Sequence, residues 1–307
     1  MSGPAILCCG EAVLDMVPAA LEGGGTGFRP VPGGAALNTA VALALQAVPA
    51  GFFGALSTDP AGERLAAHLR AEGVSLTHAT RCGRPCPLAL AQPVEDGTRF
   101  DLYDIGTAGA LYAISDLPDP LPAGVRALVF GGISLIAPPS AEAFETLARR
   151  EADRRLIWLD LNIRPGLVRE AEGYRARLMR MAALADVVKV SDEDLHWLGP
   201  GALDRLRADA PLLLHTRGAQ GAVAMRGVEV LALPAPQVQA VDTVGAGDIF
   251  NAGVLAHLAH AGLLAKPLDL PEQALRAALA HGIRAASDSV TRPGADAPRW
   301  KDTPCAP

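Results

Sequence analysis

Val241-Asp242-Thr243-Val244-Gly245-Ala246-Gly247-Asp248-Ile249-Phe250-Asn251-Ala252-Gly253 is the stretch on which the reading of this chain turns. An extended, β-branched run passes through two glycines into apolar residues at helical spacing. Phe250, Val254 and Leu258 fall at i, i+4 and i+8, with Ile249, Gly253 and Ala256 beside them. The spacing predicts a helix from near Ala246. The Gly-x-Gly before Asp248 leaves the first amides uncovered, and with the positive end of the helix dipole they make an anion site. Asp248 lies in that same first turn. A phosphate cradle and a carboxylate repel, so their pairing makes chemical sense where the carboxylate takes a proton from a hydroxyl attacking a phosphoryl group. Taken alone, the string also fits an aspartate that only caps a helix.

The totals set limits. With 307 residues and 50% apolar content, the chain can build one large α/β domain with an appendage, or two domains. A net charge of −6 argues against a nucleic-acid surface, which needs clustered Lys and Arg. An anionic substrate such as ATP then needs a local site. No stretch approaches the roughly 20 uninterrupted apolar residues of a membrane span. The first residues lack the basic leader of a signal peptide. Five cysteines, an odd count, point to reduced thiols and a cytoplasmic location. Cys8 and Cys9 are adjacent, Cys82-x-x-x-Cys86 has no second half for a metal site, and Cys305 is in the tail. The seven histidines show no ligand spacing.

Outward from the opening motif, residues 5–9 read as a strand covered on both faces. Residues 21–32 are rich in Gly and Pro and read as loop or edge. Gly33-Gly34 then opens an apolar helix to about Gln46, with Asn38 one turn in, offering donors and an acceptor to a polyol. Asp59-Pro60 starts a second helix that Gly73 stops. Between 88 and 112 the pattern changes to short alternating runs around Glu95-Asp96-Gly97, a hairpin signal. With part of 13–32 this makes a flap. Strands at 127–130, 156–161, 187–190 and 212–216 alternate with helices at 140–150, 174–184, 193–198 and 203–207, and 222–225 with 228–233 forms a hairpin. That order implies a parallel sheet. The tail from Pro293 reads as a surface strap.

Ligands of open parallel sheets collect at the carboxyl ends of the strands. There the sequence places Asp160-Leu161-Asn162-Ile163-Arg164, Ser191-Asp192-Glu193-Asp194, Arg217-Gly218-Ala219-Gln220-Gly221 and, after an expected strand at 238–241, the Gly-Ala-Gly-Asp turn. These types suit phosphoryl transfer, which needs positioning and charge neutralisation. Arg164 can present a planar fork to a phosphate or substrate oxygen, and Asp194 with Glu193 can hold waters of a Mg²⁺. Each also has an ordinary reading, as a surface ion pair or a solvated helix start. No P-loop string occurs, and no Gly-x-Gly-x-x-Gly follows the first strand, which counts against a dehydrogenase.

Gly33-Gly34-x-x-x-Asn38-x-Ala40 and Asp242-Thr243-x-Gly245-Ala246-Gly247-Asp248-x-Phe250-x-Ala252-Gly253 resemble the two signatures of the ribokinase-like (PfkB) carbohydrate kinases, and the resemblance covers essentially the whole chain. It implies an α/β fold, a three-layer α/β/α sandwich with a mainly parallel central sheet. A small β-sheet lid from about 13–32 and 88–112 would belong to a single kinase domain, 1–307. It implies ATP with Mg²⁺ as donor and often a stimulating monovalent cation such as K⁺. By the resemblance Asp248 is the base, and the amides of Gly245, Ala246, Gly247 and Asp248 form the anion hole. Asp15, Gly33, Gly34 and Asn38, with Phe100 and Arg164, match the sugar side. Asn162, Lys189, Ser191, Thr216, Gly218, Gly221 and Gly247 match the nucleotide side. Asp194 stands at the metal-water position, where many relatives have glutamate, and Asp242 in the cation loop.

Within the family, Gly10-Glu11-Ala12, Lys189-Val190-Ser191-Asp192-Glu193 and Asp160-x-Asn162-x-Arg164 most resemble bacterial fructokinases, although Leu161 stands where many relatives have proline. The expectation is therefore ATP-dependent phosphorylation of a sugar hydroxyl, with D-fructose as acceptor. The rivals are 2-keto-3-deoxygluconate, ribose or a nucleoside as acceptor, and, further off, a silent sugar or nucleotide sensor. Phe100, Tyr103, Thr107 and Tyr112 of the lid bear on the choice, and a keto-acid would need a cation such as Arg99 or Arg164. Exposed lid edges favour a homodimer through the lid.

Overall fold

Uniformly apolar strands need cover on both faces, and they receive it. The computed structural model describes residues 3–94 and 97–300. The first half of the chain runs β1 (Ile6–Cys9), β2 (Val13–Ala20), β3 (Thr26–Gly33), α1 (Ala35–Leu45), β4 (Ala50–Phe53), β5 (Ala55–Ser57), α2 (Pro60–Ala71), β6 (Thr80–Cys82), β7 (Leu88–Val94), β8 (Gly97–Tyr103), β9 (Ala127–Gly131) and α3 (Ser140–Glu151). There follow β10 (Leu156–Asp160), α4 (Ala171–Ala182), β11 (Val187–Ser191), α5 (Asp192–Leu198), α6 (Ala202–Asp209), β12 (Leu212–Thr216), β13 (Ala222–Arg226), β14 (Glu229–Leu233), α7 (Ala246–His260) and α8 (Glu272–Ser289).

Eight strands make the central sheet in the order β14-β13-β12-β11-β10-β9-β1-β4. It is parallel from β4 to β12 and antiparallel over β12, β13 and β14. Alternate residues serve opposite layers. Ile6 and Cys8 of β1 join the core under α1, α2, α7 and α8, whereas Leu7 and Cys9 join the core under α3, α4, α5 and α6. The three-layer sandwich thus follows from strand periodicity. Strand order reverses about β1, with β4 on one side and β9 on the other, so the crevice at their carboxyl ends is where a ligand belongs.

The lid is a four-stranded sheet, β3-β2-β7-β8. Its pairing Asp15↔Ala89 and Ala91↔Phe100 puts Asp15 and Phe100 on one face. Gln92↔Arg99 and Leu90↔Asp101 lie on the other. Arg99 there contacts Gln92 at 2.9 Å and Asp101 at 3.3 Å. The expected turn residues Glu95 and Asp96 lie outside the described residues, as does Cys305.

Local signals acted as expected at α2, where Asp59 accepts from the Gly62 amide at 2.7 Å, Pro60 follows it, and Gly73 leaves the helix at φ 81°. Several expectations are corrected. Residues 238–241 form no strand, and Val241 instead donates its amide to the Val290 carbonyl at 2.7 Å. β3 is a full strand where mostly loop or edge was expected, and the stretch 104–112 has left the sheet. β4, which no local sequence signal marks, pairs with β1 from Ile6↔Ala50. The tail at 293–300 is a strap, but a seated one: Ala297 and Pro298 are buried. No helix among the described residues is long and apolar enough to cross a membrane.

Candidate functional site

The opening motif folds as its spacing predicts. Gly245 is the N-cap of α7 in the left-handed region, φ 75°, where a side chain would be strained. A Cβ there would also lie 2.4 Å from Ala295 Cβ. The Ala246 amide does not stay open, as the four-amide hole required: it closes a turn onto the Thr243 carbonyl at 3.2 Å. Among the described residues the amides of Gly245, Gly247 and Asp248 have no such partner, and unpartnered amides at a helix start suit an anion. Gly247 serves access of another kind, since a Cβ on it would meet Lys189 Nζ at 3.1 Å. A buried ammonium therefore lies against the cradle.

Asp248 is 7% exposed and accepts one side-chain hydrogen bond, from Asn38 Nδ2 at 2.9 Å. This contact joins the two motifs across 210 residues of sequence. Burial pushes its carboxyl up to about 7, against the lowering effect of Asn38. Asp160 adds to the rise, while Arg164 and Lys189 oppose it. A carboxylate so placed is poised to exchange a proton near neutral pH.

The residues expected on the acceptor side lie in the lid and at the start of α1. Gly34 caps α1 at φ 103°, and a Cβ on it would stand 2.8 Å from the Glu11 carbonyl. Glu11, 6% exposed, accepts from the Ala35 amide at 3.1 Å and reaches Ser134, so it fixes the start of the Asn38 helix to the loop after β9. Gly33 is a glycine because the Asp15 carboxylate fills its side-chain space, with Oδ2 2.2 Å from the position of an added Cβ. Asp15 accepts no hydrogen bond among the described residues, and burial lifts its carboxyl to about 7. Phe100 shares its face of the lid.

The residues expected on the donor side gather at the ends of β10, β11 and β12. Asn162 takes the left-handed conformation at φ 42°, a turn that asparagine tolerates better than most residues. Arg164 is exposed, with Nη1 3.2 Å from the Ile163 carbonyl. Ser191 caps α5, and Asp194 answers it: one Asp194 oxygen accepts from the Ser191 amide and hydroxyl, each at 2.9 Å, and the other from the Ile163 amide at 2.7 Å. Burial raises the Asp194 carboxyl, although Lys189 opposes this. Thr216 ends β12 and Gly218 is exposed beyond it at φ 49°. Gly221 has a packing reason of its own, because a Cβ on it would lie 2.1 Å from the Leu233 carbonyl. Asp242 ties its own loop to the tail, accepting from the Val244 amide at 3.0 Å and the Gly294 amide at 2.8 Å.

Two residues beneath the cradle were not singled out as site residues. Asp160, 4% exposed, pairs in register with Lys189 and meets its ammonium at 3.1 Å. Asn251, one turn after Asp248, donates to Asp160 Oδ2 at 2.6 Å and accepts from Trp158 Nε1 at 3.2 Å. For Lys189, burial works against the charge, but Asp160 and Asp194 outweigh it and the ammonium is held charged. The sequence held one clue, the three-residue spacing of Asp248 and Asn251 on a helix. The arrangement can hold an anionic electrophile on amides and an ammonium while a carboxylate beside it accepts a proton from an alcohol.

The chain's likenesses agree with this geometry. Fructokinase of Rhizobium leguminosarum bv. trifolii is 44% identical over 279 residues, 88% of this chain and 85% of that protein. Fructokinase of Klebsiella pneumoniae is 34% identical over 83% and 84%. Among solved structures, fructokinase with bound ATP from Xylella fastidiosa has a TM-score of 0.83 at 29% identity, covering 97% of this chain and 94% of that one. Aminoimidazole riboside kinase from Salmonella enterica, complexed with aminoimidazole riboside and an ATP analog, has a TM-score of 0.80 at 25% identity, covering 97% and 96%. The model of the pfkB family carbohydrate kinases matches residues 4–302, and a match of that extent, carried by motifs that meet over Asp248, means that the chain belongs to that family.

Proposed function

We propose that this carbohydrate kinase transfers the γ-phosphoryl group of ATP to a primary hydroxyl of D-fructose. The observation that carries the reading is the Asn38–Asp248 hydrogen bond, which brings an acceptor-side residue and the proton acceptor to one place beside the open amides. The alcohol oxygen attacks phosphorus, the bond to the ADP oxygen breaks, and the alcohol proton passes to Asp248. Gly245, Gly247 and Asp248 amides and Lys189 take the charge on the phosphoryl oxygens. Asp15 and Asn38 hold the sugar, with Phe100 on the same lid face, and lid closure excludes water that would otherwise be phosphorylated.

Fructose is favoured by the 44% identical relative, named a fructokinase. Of the two cations that a keto-acid could use, Arg99 lies on the lid face opposite Asp15 and is engaged by Gln92 and Asp101, which leaves Arg164 alone for that carboxylate. Asn162, Ser191, Thr216 and Gly218 form the nucleotide rim in this reading. Mg²⁺ would arrive with ATP. Among the described residues no three His, Cys, Asp or Glu side chains converge as a ligand cage, and both Asp194 oxygens already accept from the chain, so the donor set fits an ion that keeps most of its water and neutralises phosphate charge. K⁺ would lie by the Asp242 loop. The described cysteines are unpaired, in keeping with a cytoplasmic enzyme. The lid edges β3 and β8, with Phe28 48% and Tyr103 62% exposed, support a homodimer through the lid, which sedimentation equilibrium tests.

The deciding experiment follows ADP release with fructose, ribose, 2-keto-3-deoxygluconate and a nucleoside at equal concentration. Fructose is expected to give the highest kcat/KM. A higher value for any other acceptor removes the fructose assignment, and no ADP release with any of them removes the acceptor class.

A further inference from the structure

The strap at 293–300 touches the anion cradle at one end and a buried polar cluster at the other. Near its start, Gly294 donates its amide to Asp242, and Ala295 fills the space beside Gly245 where no Cβ could stand. At its far end Pro298 accepts from Gln46 Nε2 at 2.8 Å, and the Trp300 ring lies 4.0 Å from that of His260 and 5.0 Å from that of His281. Gln46 follows α1 and is 1% exposed. Its amide nitrogen is committed to Pro298, so its Oε1 is the atom that meets His281 Nε2 at 2.8 Å, and its carbonyl accepts from His260 at 2.8 Å. His281 must then carry its proton on Nε2, leaving Nδ1 buried without a hydrogen bond. Burial holds His281 down to about 4, helped by Arg284, His257 and His260, the groups that face it, so its imidazole is neutral near neutral pH.

We propose that Gln46, His281 and Trp300 are positioning residues for phosphoryl transfer: they pin the end of the strap so that Ala295 backs the left-handed turn at Gly245 and fixes the amides of the cradle. The inference rests on the kinase reading. None of the three touches the site directly. They act through the strap, which has Ala295 against the turn and Trp300 seated between α7 and α8. A turn held only by its own glycine would open on the scale that costs catalysis heavily, since about 1 Å of misplacement can cost about 10²-fold.

The test compares Gln46→Leu, Trp300→Ala, Trp300→Phe and Ala295→Gly with the unaltered protein for kcat, both KM values, melting temperature and ATP affinity by titration calorimetry. Gln46→Leu and Trp300→Ala are expected to lose about tenfold in kcat with the fructose KM within about twofold, because Asp15 and Asn38 are untouched. Trp300→Phe restores most of the rate, and Ala295→Gly, which leaves the anchor whole, loses kcat several-fold without a comparable fall in melting temperature. A lowered melting temperature with kcat unchanged in the folded variants overturns the proposal and leaves the cluster a structural one. Should Gln46→Leu and Trp300→Ala not fold, an unchanged kcat in Ala295→Gly overturns it alone. If the unaltered protein phosphorylates no sugar, the functional reading has failed separately, and an unchanged ATP affinity across the variants still overturns the anchor.

Discussion

Replacing Asn38 by leucine removes the one side-chain hydrogen bond that Asp248 receives among the described residues while keeping the volume on α1. A hydrogen bond to a charged, buried group contributes about 1.5–3 kcal/mol, and about 1.36 kcal/mol corresponds to one pH unit. The carboxyl of Asp248, near 7 with Asn38 in place, therefore moves to about 8–9 without it. Only the ionised form accepts a proton, so the acid limb of kcat/KM shifts with it. At pH 7 the variant is expected to be roughly 5- to 50-fold below the unaltered enzyme from ionisation alone, and the gap should shrink above pH 9. What persists there is a pH-independent factor from the lost sugar contact. Asp15, whose carboxyl also lies near 7, contributes the same limb to both proteins and cancels in their ratio. The assay is coupled ADP release at fixed ionic strength and saturating MgATP, from pH 5.5 to 9.5. A ratio of the two profiles that is flat with pH would refute the claim that Asn38 tunes the base.

Asp248→Asn should lower kcat by about 10²- to 10⁴-fold while ATP binding by calorimetry survives; an unchanged kcat removes the base assignment. The same variant tests stability. A carboxyl raised from its usual 3.8 to about 7 keeps its proton in the folded state, so the native protein binds more protons than the unfolded chain across that interval, and stability falls as pH rises through it. Asp248→Asn should therefore melt higher than the unaltered protein at pH 8, with the difference fading toward pH 4; a variant that melts lower at pH 8 contradicts the burial argument. Gly245→Ala faces the left-handed penalty of about 1–2 kcal/mol and the contact with Ala295, and should lose both melting temperature and kcat, the second being absent if the turn is not the cradle. Gly221→Ala meets the Leu233 carbonyl and should lower the melting temperature with the KM for ATP unchanged; a raised KM would give Gly221 a nucleotide role beyond packing.

Where local chemistry decided the outcome, the sequence was legible. The start of α7, the cap at Asp59 and the lid hairpin followed from glycine, proline and spacing. What escaped depended on neighbours far along the chain. Four residues of β4 carry no alternation, and only pairing with β1 makes them a strand. Residues 238–241 carry β-branched side chains but find no strand to pair with, because Val290 takes the amide of Val241. Asp160 reads as one polar residue in a string until the register sets it beside Lys189, and Asn251 acquires its role only with Asp160 beneath it. Two histidines without ligand spacing, His260 and His281, turn out to be packed, since they reach the one Trp300 ring only when α7 and α8 lie together.

The lid hairpin of β2 and β3 is spliced into the chain between β1 and α1, so that everything proposed to touch the acceptor, apart from Arg164 and the base Asp248, is encoded before residue 104 and nearly all that touches the donor after residue 159. The side-chain amide of Asn38 joins the first half to Asp248 in the second. On the proposed reading, a replaced 13–33 and 88–103 would change the contacts of Asp15, Gly33 and Phe100 and leave the donor residues and Asp248 as they are.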